Sequence, residues 1–451
     1  MKRKTSIFLN SWLQDKTRKP IIIRGARQVG KTWLVRDLAA KNNKKLVEIN
    51  FERNPSFVSL FHSNNPQKIL FAIKTALNIA ISTTDSMLFL DEIQAAPQIL
   101  AKLRWFTEEL PEFPVVAAGS LLEFTLDKHE FSMPVGRISY LHLEPMSFQE
   151  FILALGQNKL CDFLDSYSLS DHIPQTIHEH LLELLREYFI VGGMPTAVAS
   201  WACEHNLAKI SATHSDLLAT YRDDFAKYKG RIDNARLEET LNTIPKLLGQ
   251  KFKYSAVNSD IAAASIKRAL DLLCKAQLCC RVNNCSGNGV PLGAEVKDKA
   301  CKVIFLDVGL VSALLGLELQ NIPEIQNTHF ANQGKLTEQL AGQLLRTARP
   351  HYLEPTLYYW LREQPGSSSE VDYLIQHEGS VVPVEVKSGS TGTLKALHLF
   401  MGLKKHKVAV RINADYPSVT NVQVKTHDGR EVTYKLISIP LYLTEQANRL
   451  L

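Results

Sequence analysis

Eight residues near the start constrain this chain more than any others: Gly25-Ala26-Arg27-Gln28-Val29-Gly30-Lys31-Thr32. They follow the apolar run Ile21-Ile22-Ile23 and lead into Trp33-Leu34-Val35-Arg36-Asp37-Leu38-Ala39-Ala40. That order reads as strand, glycine loop and helix, with the G-x-x-x-x-G-K-[ST] spacing of a phosphate-binding loop. Glycine lets the backbone turn tightly, so that successive N–H groups face phosphate oxygens. The helix beginning near Lys31 adds its positive end. Lys31 is expected to reach the β- and γ-phosphates of a nucleoside triphosphate, and the Thr32 hydroxyl to ligate Mg²⁺. A parallel α/β sheet must carry such a loop.

The run Ser86-Met87-Leu88-Phe89-Leu90-Asp91-Glu92 is continuously apolar until its two acids. Strands covered on both faces of a parallel sheet have this composition. Asp91 would then emerge at the C-terminal edge, where ligands bind, and hold Mg²⁺ directly or through water. Glu92 is placed to polarise an attacking water. Pro114-Val115-Val116-Ala117-Ala118-Gly119-Ser120 reads as another buried strand, ending in the small polar Ser120. That hydroxyl is the candidate sensor of the γ-phosphate, with a turn or N-cap role as the alternative. Ser139 to Leu143 is a further strand, with Gly136-Arg137 just before it. Arg137 is a candidate arginine finger toward a neighbouring subunit, or else a surface arginine.

Taken together, G-A-R-Q-V-G-K-T, L-F-L-D-E-I-Q, A-A-G-S, G-R and L-E-P-M-S-F-Q-E-F resemble one family in this order. So do Val191-Gly192-Gly193-Met194-Pro195, Glu370-Val371-Asp372 and Pro383-Val384-Glu385-Val386-Lys387-Ser388-Gly389. The family is the AAA-type P-loop ATPases of bacteria and archaea with a C-terminal domain of unknown function. The resemblance implies ATP binding and a five-stranded core of the catalytic-glutamate type. It also implies a C-terminal lobe like a restriction endonuclease. The expected fold is therefore α/β: a P-loop NTPase parallel sheet, then a helical and winged-helix region, then a nuclease-like α/β domain. The expected domains are 1–150 (ATPase), 151–240 (helical lid or connector), 241–320 (winged helix) and 321–451 (nuclease-like).

Several local expectations accompany this layout. Residues 1–20 read as a short helix with Ile7, Leu9, Trp12 and Leu13 on its buried face. Helical material is expected from about Asn54 to Thr83, from Pro97 to Leu110 and from Phe148 to about Lys229. Tyr221 to Arg231 mixes charges and aromatics and reads as a solvated helix and linker. In the winged-helix stretch, helices are expected at Leu241–Leu248, Val257–Ala262 and Ser265–Leu273. Two β segments follow, Leu278–Val282 and Lys302–Leu306. Ser265, Lys267 and Arg268 would face DNA if the third helix entered a groove, and the alternative is a protein-binding module.

The last 130 residues hold a second set of acids. Glu338 falls on a helix from Gly334 to Arg346, and strands are expected at Leu357–Leu361, Glu370–Ile375 and Val381–Lys387. A helix containing Leu394–Met401 and a strand at Lys407–Ile412 complete an order resembling the PD-(D/E)xK nuclease core. Strand alternation puts Glu385 and Lys387 on one face, about 7 Å apart along the chain. Asp372 and Glu385 could hold a second Mg²⁺, with Lys387 activating water or stabilising phosphate charge and Glu338 adding an acid. Val371 stands where the pattern has proline.

Length and composition set outer bounds. A chain of 451 residues exceeds one ordinary core. Formal net charge is +6, which permits nucleic-acid contact without requiring it. Apolar stretches are too short for a membrane span, and the basic Met1-Lys2-Arg3-Lys4 start is not followed by a secretory apolar run. A cytoplasmic location is expected. The seven cysteines contain no C-x-x-C pair and read as free thiols. ATP and Mg²⁺ are the expected ligands. DNA, a protein client and further copies of the chain stay open as partners.

Overall fold

A computed structural model describes residues 2–120, 122, 134, 136–228, 232–317, 333–365, 367–389 and 393–451. The chain divides into two compact units. One is Met1–Glu144 with Lys275–Gln277 and Pro350–Glu354; the other comprises the remaining residues.

The first unit is built on a five-stranded sheet in the order β2-β3-β4-β1-β5. Its strands are β1 (Ile21–Arg24), β2 (Lys45–Asn50), β3 (Ser86–Asp91), β4 (Val115–Gly119) and β5 (Ser139–His142). All four pairings are parallel, so every C-terminal strand end lies along one edge. Every residue of β3 and β4 is buried, as their unbroken apolar composition requires. Ile22, Ile49, Leu88, Leu90 and Ala117 pack in one core with residues of α3 (Pro66–Leu77) and α4 (Leu103–Glu109). Helices α1 (Thr5–Gln14) and α2 (Lys31–Lys41) belong to the same unit.

Three local expectations need correction. On α1, Leu9, Trp12 and Leu13 are buried but Ile7 is 73% exposed. The helical material expected from Asn54 to Thr83 forms two pieces, a 3₁₀ segment at Pro55–Phe61 and α3 from Pro66, and it stops at Leu77 rather than Thr83. The Asn65 side chain accepts from the Lys68 N–H there, with proline at the first helical position, a start signal strong enough to divide the run. Pro97–Lys102 is likewise 3₁₀ before α4.

The second unit opens with helices α5 (Phe148–Ala154), α6 (Asn158–Ser166), α7 (Gln175–Val191), α8 (Pro195–Glu204) and α9 (Leu207–Asp224). Ser147 and Glu150 form a reciprocal capping box that starts α5. Residues 229–231, the end of the charged aromatic stretch, lie outside the described residues. After α10 (Asn234–Thr243) and α11 (Ala263–Lys275), the chain enters an eight-stranded sheet ordered β12-β13-β11-β10-β9-β8-β6-β7. The strands are β6 (Cys279–Cys285), β7 (Val296–Phe305), β8 (Leu357–Gln364), β9 (Ser367–His377), β10 (Ser380–Val386), β11 (Val408–Asn413), β12 (Ser418–Lys425) and β13 (Glu431–Pro440). Helices α12 (Val308–Leu314), α13 (Gln333–Thr347) and α14 (Lys395–Lys404) lie between them in sequence.

The helix expected at Val257–Ala262 does not form. Asn258 Oδ1 accepts from the Asp260 N–H, and this local turn competes with helix. The first expected helix, Leu241–Leu248, ends its α turns at Thr243 and continues as a 3₁₀ turn, Ile244–Leu247. The β6–β7 hairpin is antiparallel, and β6 pairs in parallel with β8, so the hairpin belongs to the C-terminal sheet. All seven cysteines are free. No helix among the described residues is long and apolar enough to cross a membrane.

Candidate functional site

The loop after β1 is shaped by its glycines. Gly30 has φ 96°, a left-handed conformation that side-chain-bearing residues resist. A Cβ on Gly25 would stand 2.5 Å from the Leu143 carbonyl oxygen. Gln28, with φ 64°, takes a second left-handed position and is exposed at the loop's crown. Ala26 and Val29 are buried beneath, and Arg27 is half-buried. Lys31, the first residue of α2, turns its Nζ back to donate to the Gly25 and Ala26 carbonyls at 2.9 and 2.8 Å. Burial pulls its ammonium down to about 8, against the nearby Glu92 and Asp91 charges. Arg3 ties the loop from below, donating to the Val29 carbonyl at 3.0 Å and the Glu144 carbonyl at 2.7 Å.

Asp91 ends β3 beside this loop. The Thr32 hydroxyl lies 3.4 and 3.3 Å from its two oxygens, and the Asn50 amide donates to Oδ2 at 3.2 Å. Asn50 is placed by register, directly opposite Asp91 on β2. Burial, then the adjacent Glu92 charge, push the Asp91 carboxyl above its ordinary range. A buried acid beside a second acid and a hydroxyl is a donor set a divalent cation would relieve, so magnesium brought with a nucleotide fits these residues. Glu92 has φ 51° and ψ 47°, a conformation seldom adopted without a compensating constraint. Its carboxylate accepts the Gln94 side-chain amide.

Ser120 follows β4 and is buried. Gly119 pairs with Arg24 and Ala117 with Leu90, so Ser120 stands at the edge between the Asp91 strand and the phosphate loop. Arg137 is elsewhere. It precedes Ser139, which pairs with Ile21 at the start of β1, so Arg137 occupies the opposite edge of the sheet. Its Nε donates to Glu108 Oε1 at 2.8 Å, and its carbonyl accepts from Thr107 Oγ1 at 2.6 Å. It does not join the loop of its own chain.

The second set of acids does converge. The β9–β10 register sets Val384 opposite Tyr373, which brings Asp372 and Glu385 to the next position. Asp372 Oδ2 accepts the Val386 N–H at 2.7 Å, and Lys387 donates to Glu385 Oε1 at 2.7 Å. Acid oxygens of Glu338, Glu370 and Asp372 lie within 4.8 Å of one another. Lys302 on β7 ends among them: its Nζ donates to Glu338 Oε1 at 2.7 Å, contacts Glu370 Oε1, and lies 3.6 Å from Asp372 Oδ1. Burial alone would depress this ammonium, but Glu338, Asp372 and Glu370 hold it above the usual lysine range. Burial raises Glu338 to about 7, opposed by Lys302, and raises Glu385 to about 8 with help from Asp372. With one ammonium already seated between three acids, this donor set does not fit a divalent metal as it stands.

Arg3, Asn50, Gln94, Lys302 and Glu370 were not legible as site residues. Gln94 and Glu370 carried a signal, since one closes the L-F-L-D-E-I-Q run and the other stands two residues before Asp372 on the same strand. Arg3, Asn50 and Lys302 arrive from distant parts of the chain.

A parallel five-stranded sheet with a phosphate loop and an Asp91-Glu92 edge is the arrangement of a P-loop nucleotide-binding domain. In agreement, residues 17–152 match the family model of an AAA domain. Residues 182–321 match a domain of unknown function, DUF8612, and residues 333–442 match another, DUF4143. No curated protein is similar in sequence. Among solved structures, the Walker-type ATPase PABY2304 of Pyrococcus abyssi is similar at 14% identity and TM-score 0.43, covering 70% of this chain and 95% of that one. The ORC2 protein of Aeropyrum pernix has 13% identity and TM-score 0.32, covering 71% and 92%. The RuvB Holliday junction branch migration motor of Thermotoga maritima has 14% identity and TM-score 0.28, covering 62% and 88%. Scores this low leave the class resting on the site geometry and the family match.

Proposed function

We propose that the first unit binds ATP with Mg²⁺ and hydrolyses it, and that nucleotide state is passed to the second unit. The observation that carries this is the meeting, at one sheet edge, of the glycine loop with Lys31, the buried Asp91 and the half-buried Glu92. Loop N–H groups and Lys31 bind the phosphates; Lys31 exchanges its two carbonyl partners for phosphate oxygens. Thr32 and Asp91 would hold Mg²⁺, which when bound offsets phosphate charge. Glu92, fixed by Gln94, orients water and accepts its proton, and Ser120 senses the γ-phosphate. The test is phosphate release by purified protein with and without Mg²⁺. Release should depend on Mg²⁺ and fall to background in Lys31→Ala; equal rates in both proteins would refute it.

We also propose that the second unit carries a nucleic-acid contact and a nuclease-like scaffold. The contact is supported by α11, where Lys267 and Arg268 are exposed while Ile266, Ala269 and Leu270 are buried. If phosphates are touched there, affinity for duplex DNA falls steeply with salt, and Lys267→Ala with Arg268→Ala flattens that slope. Salt-independent binding would favour a protein client. The scaffold is supported by its order: α13 with Glu338, antiparallel β8–β9–β10, then α14 and β11 parallel to β10.

A further inference from the structure

We propose that the Lys302 ammonium is the built-in cation of the carboxylate centre formed by Glu338, Glu370 and Asp372, so that this centre takes no divalent metal in the native protein. The inference rests on the nuclease-like reading only for the expectation that a metal would be sought there.

Four elements supply the groups. Lys302 comes from β7, Glu338 from α13, and Glu370 and Asp372 from β9. Glu385 and Lys387 face the centre from β10 and the residue following it. Lys302 is 2% exposed, so its side chain has no route by which to swing its charge into solvent. The Tyr359 ring lies 5.2 Å from Nζ. Each of the three acids has an oxygen within ion-pair distance of that nitrogen. A magnesium ion binds oxygen at about 2 Å and needs near-octahedral ligation. Sharing these oxygens would press a second positive centre against a buried ammonium, and repulsion between charges a few ångströms apart at a half-buried site is poorly screened.

The Asp372–Glu385 pair does not offer a way round. Both Asp372 oxygens are engaged, Oδ2 by the Val386 N–H and Oδ1 by Lys302. Glu385 Oε1 accepts from Lys387, which leaves Glu385 Oε2 as the buried side-chain oxygen without a hydrogen-bond partner. One oxygen does not make a magnesium site. Replacing the ammonium by an apolar side chain of similar length would leave three close carboxylates without their cation. The same acids would then bind a metal.

The test counts Mn²⁺ bound to the full chain without nucleotide, from the paramagnetic resonance of the free ion. Wild type and Asp372→Asn should bind equally. Lys302→Met should bind one more ion, and adding Asp372→Asn should remove it. The proposal is overturned if Asp372→Asn binds one ion fewer than wild type, or if folded Lys302→Met gains none. Should Lys302→Met be unfolded without metal, added Mn²⁺ is expected to restore a cooperative melt, and failure to restore it also overturns the proposal. DNA cleavage separates the two readings. A Mn²⁺-loaded Lys302→Met protein that cleaves nothing would count against the nuclease-like reading and leave the built-in cation standing.

Discussion

Gln94 donates its side-chain amide to the carboxylate of Glu92, two residues back across a left-handed turn. The backbone conformation aims Glu92 away from the line of β3, and the amide fixes where the carboxylate points. Glu92→Gln should bind Mg²⁺-ATP normally while phosphate release falls about 100-fold or more. Gln94→Leu keeps the carboxylate but frees it, and a fall of roughly 10-fold in kcat with KM little changed is expected. Steady-state phosphate release at saturating ATP measures both; a Gln94→Leu enzyme with wild-type kcat would remove Gln94 from the machinery.

Lys31 gives nucleotide binding a pH dependence whose sign is set by burial. Its folded value is pulled down to about 8, below that of an exposed lysine. Below pH 8 the group is charged in the free protein and ready for phosphate. Above it, the proton must be taken up on binding. Affinity for Mg²⁺-ATP should be about 10-fold weaker at pH 9 than at pH 7, and Lys31→Arg should abolish that difference. The sign for stability is opposite. The unfolded chain holds this proton more tightly, so the destabilising contribution is fully present below pH 8 and fades as pH rises toward the unfolded value. Fluorescence titrations at the two pH values decide the binding half.

Arg137 stands at the edge of the sheet opposite the phosphate loop, so any action on a γ-phosphate is on a neighbouring copy. Arg137→Ala and Glu92→Gln should each be slow alone. Mixed, they should regain phosphate release, because the Glu92→Gln chain lends its arginine to the intact site of the other. No gain on mixing, with both proteins folded, would make Arg137 a surface residue paired with Glu108.

Much of the first unit was legible because its signals are contiguous. The loop from Gly25 to Thr32 and the β3 run to Asp91-Glu92 each carry their own strand, turn and chemistry. Asn50 and Arg3 were not legible, since only register and packing bring them to the site. The second unit shows the same division. Glu385 and Lys387 share a face by simple alternation, whereas Lys302 reaches them from β7, outside the acid-bearing segments. The β12–β13 hairpin was also missed. Val422 and Val424 alternate with polar residues, as do Val432, Tyr434 and Leu436, but β12 is an edge strand and largely exposed, which weakens the pattern. Helix limits failed where Asn258 and Asn65 offered the backbone local bonds.

Asp307 shows what the second unit cannot lose. It is fully buried, and its carboxylate accepts N–H groups of Gly193 at 2.6 Å, Gly309 at 3.0 Å and Leu310 at 3.3 Å, and the Gln343 amide at 3.0 Å. Asp307→Ala strands these donors away from water and should cost about 3–5 kcal/mol, read as a lower denaturant midpoint. Asp307→Asn, which keeps one acceptor, should lose less. Equal stability of Asp307→Ala and wild type would contradict this.

The most direct test of the account is a calorimetric titration of the folded Glu92→Gln protein with ATP, with and without Mg²⁺. Saturable heat from one nucleotide per chain is expected in Mg²⁺, and its loss when Lys31→Ala is added. No heat of binding from a protein that is demonstrably folded would contradict it.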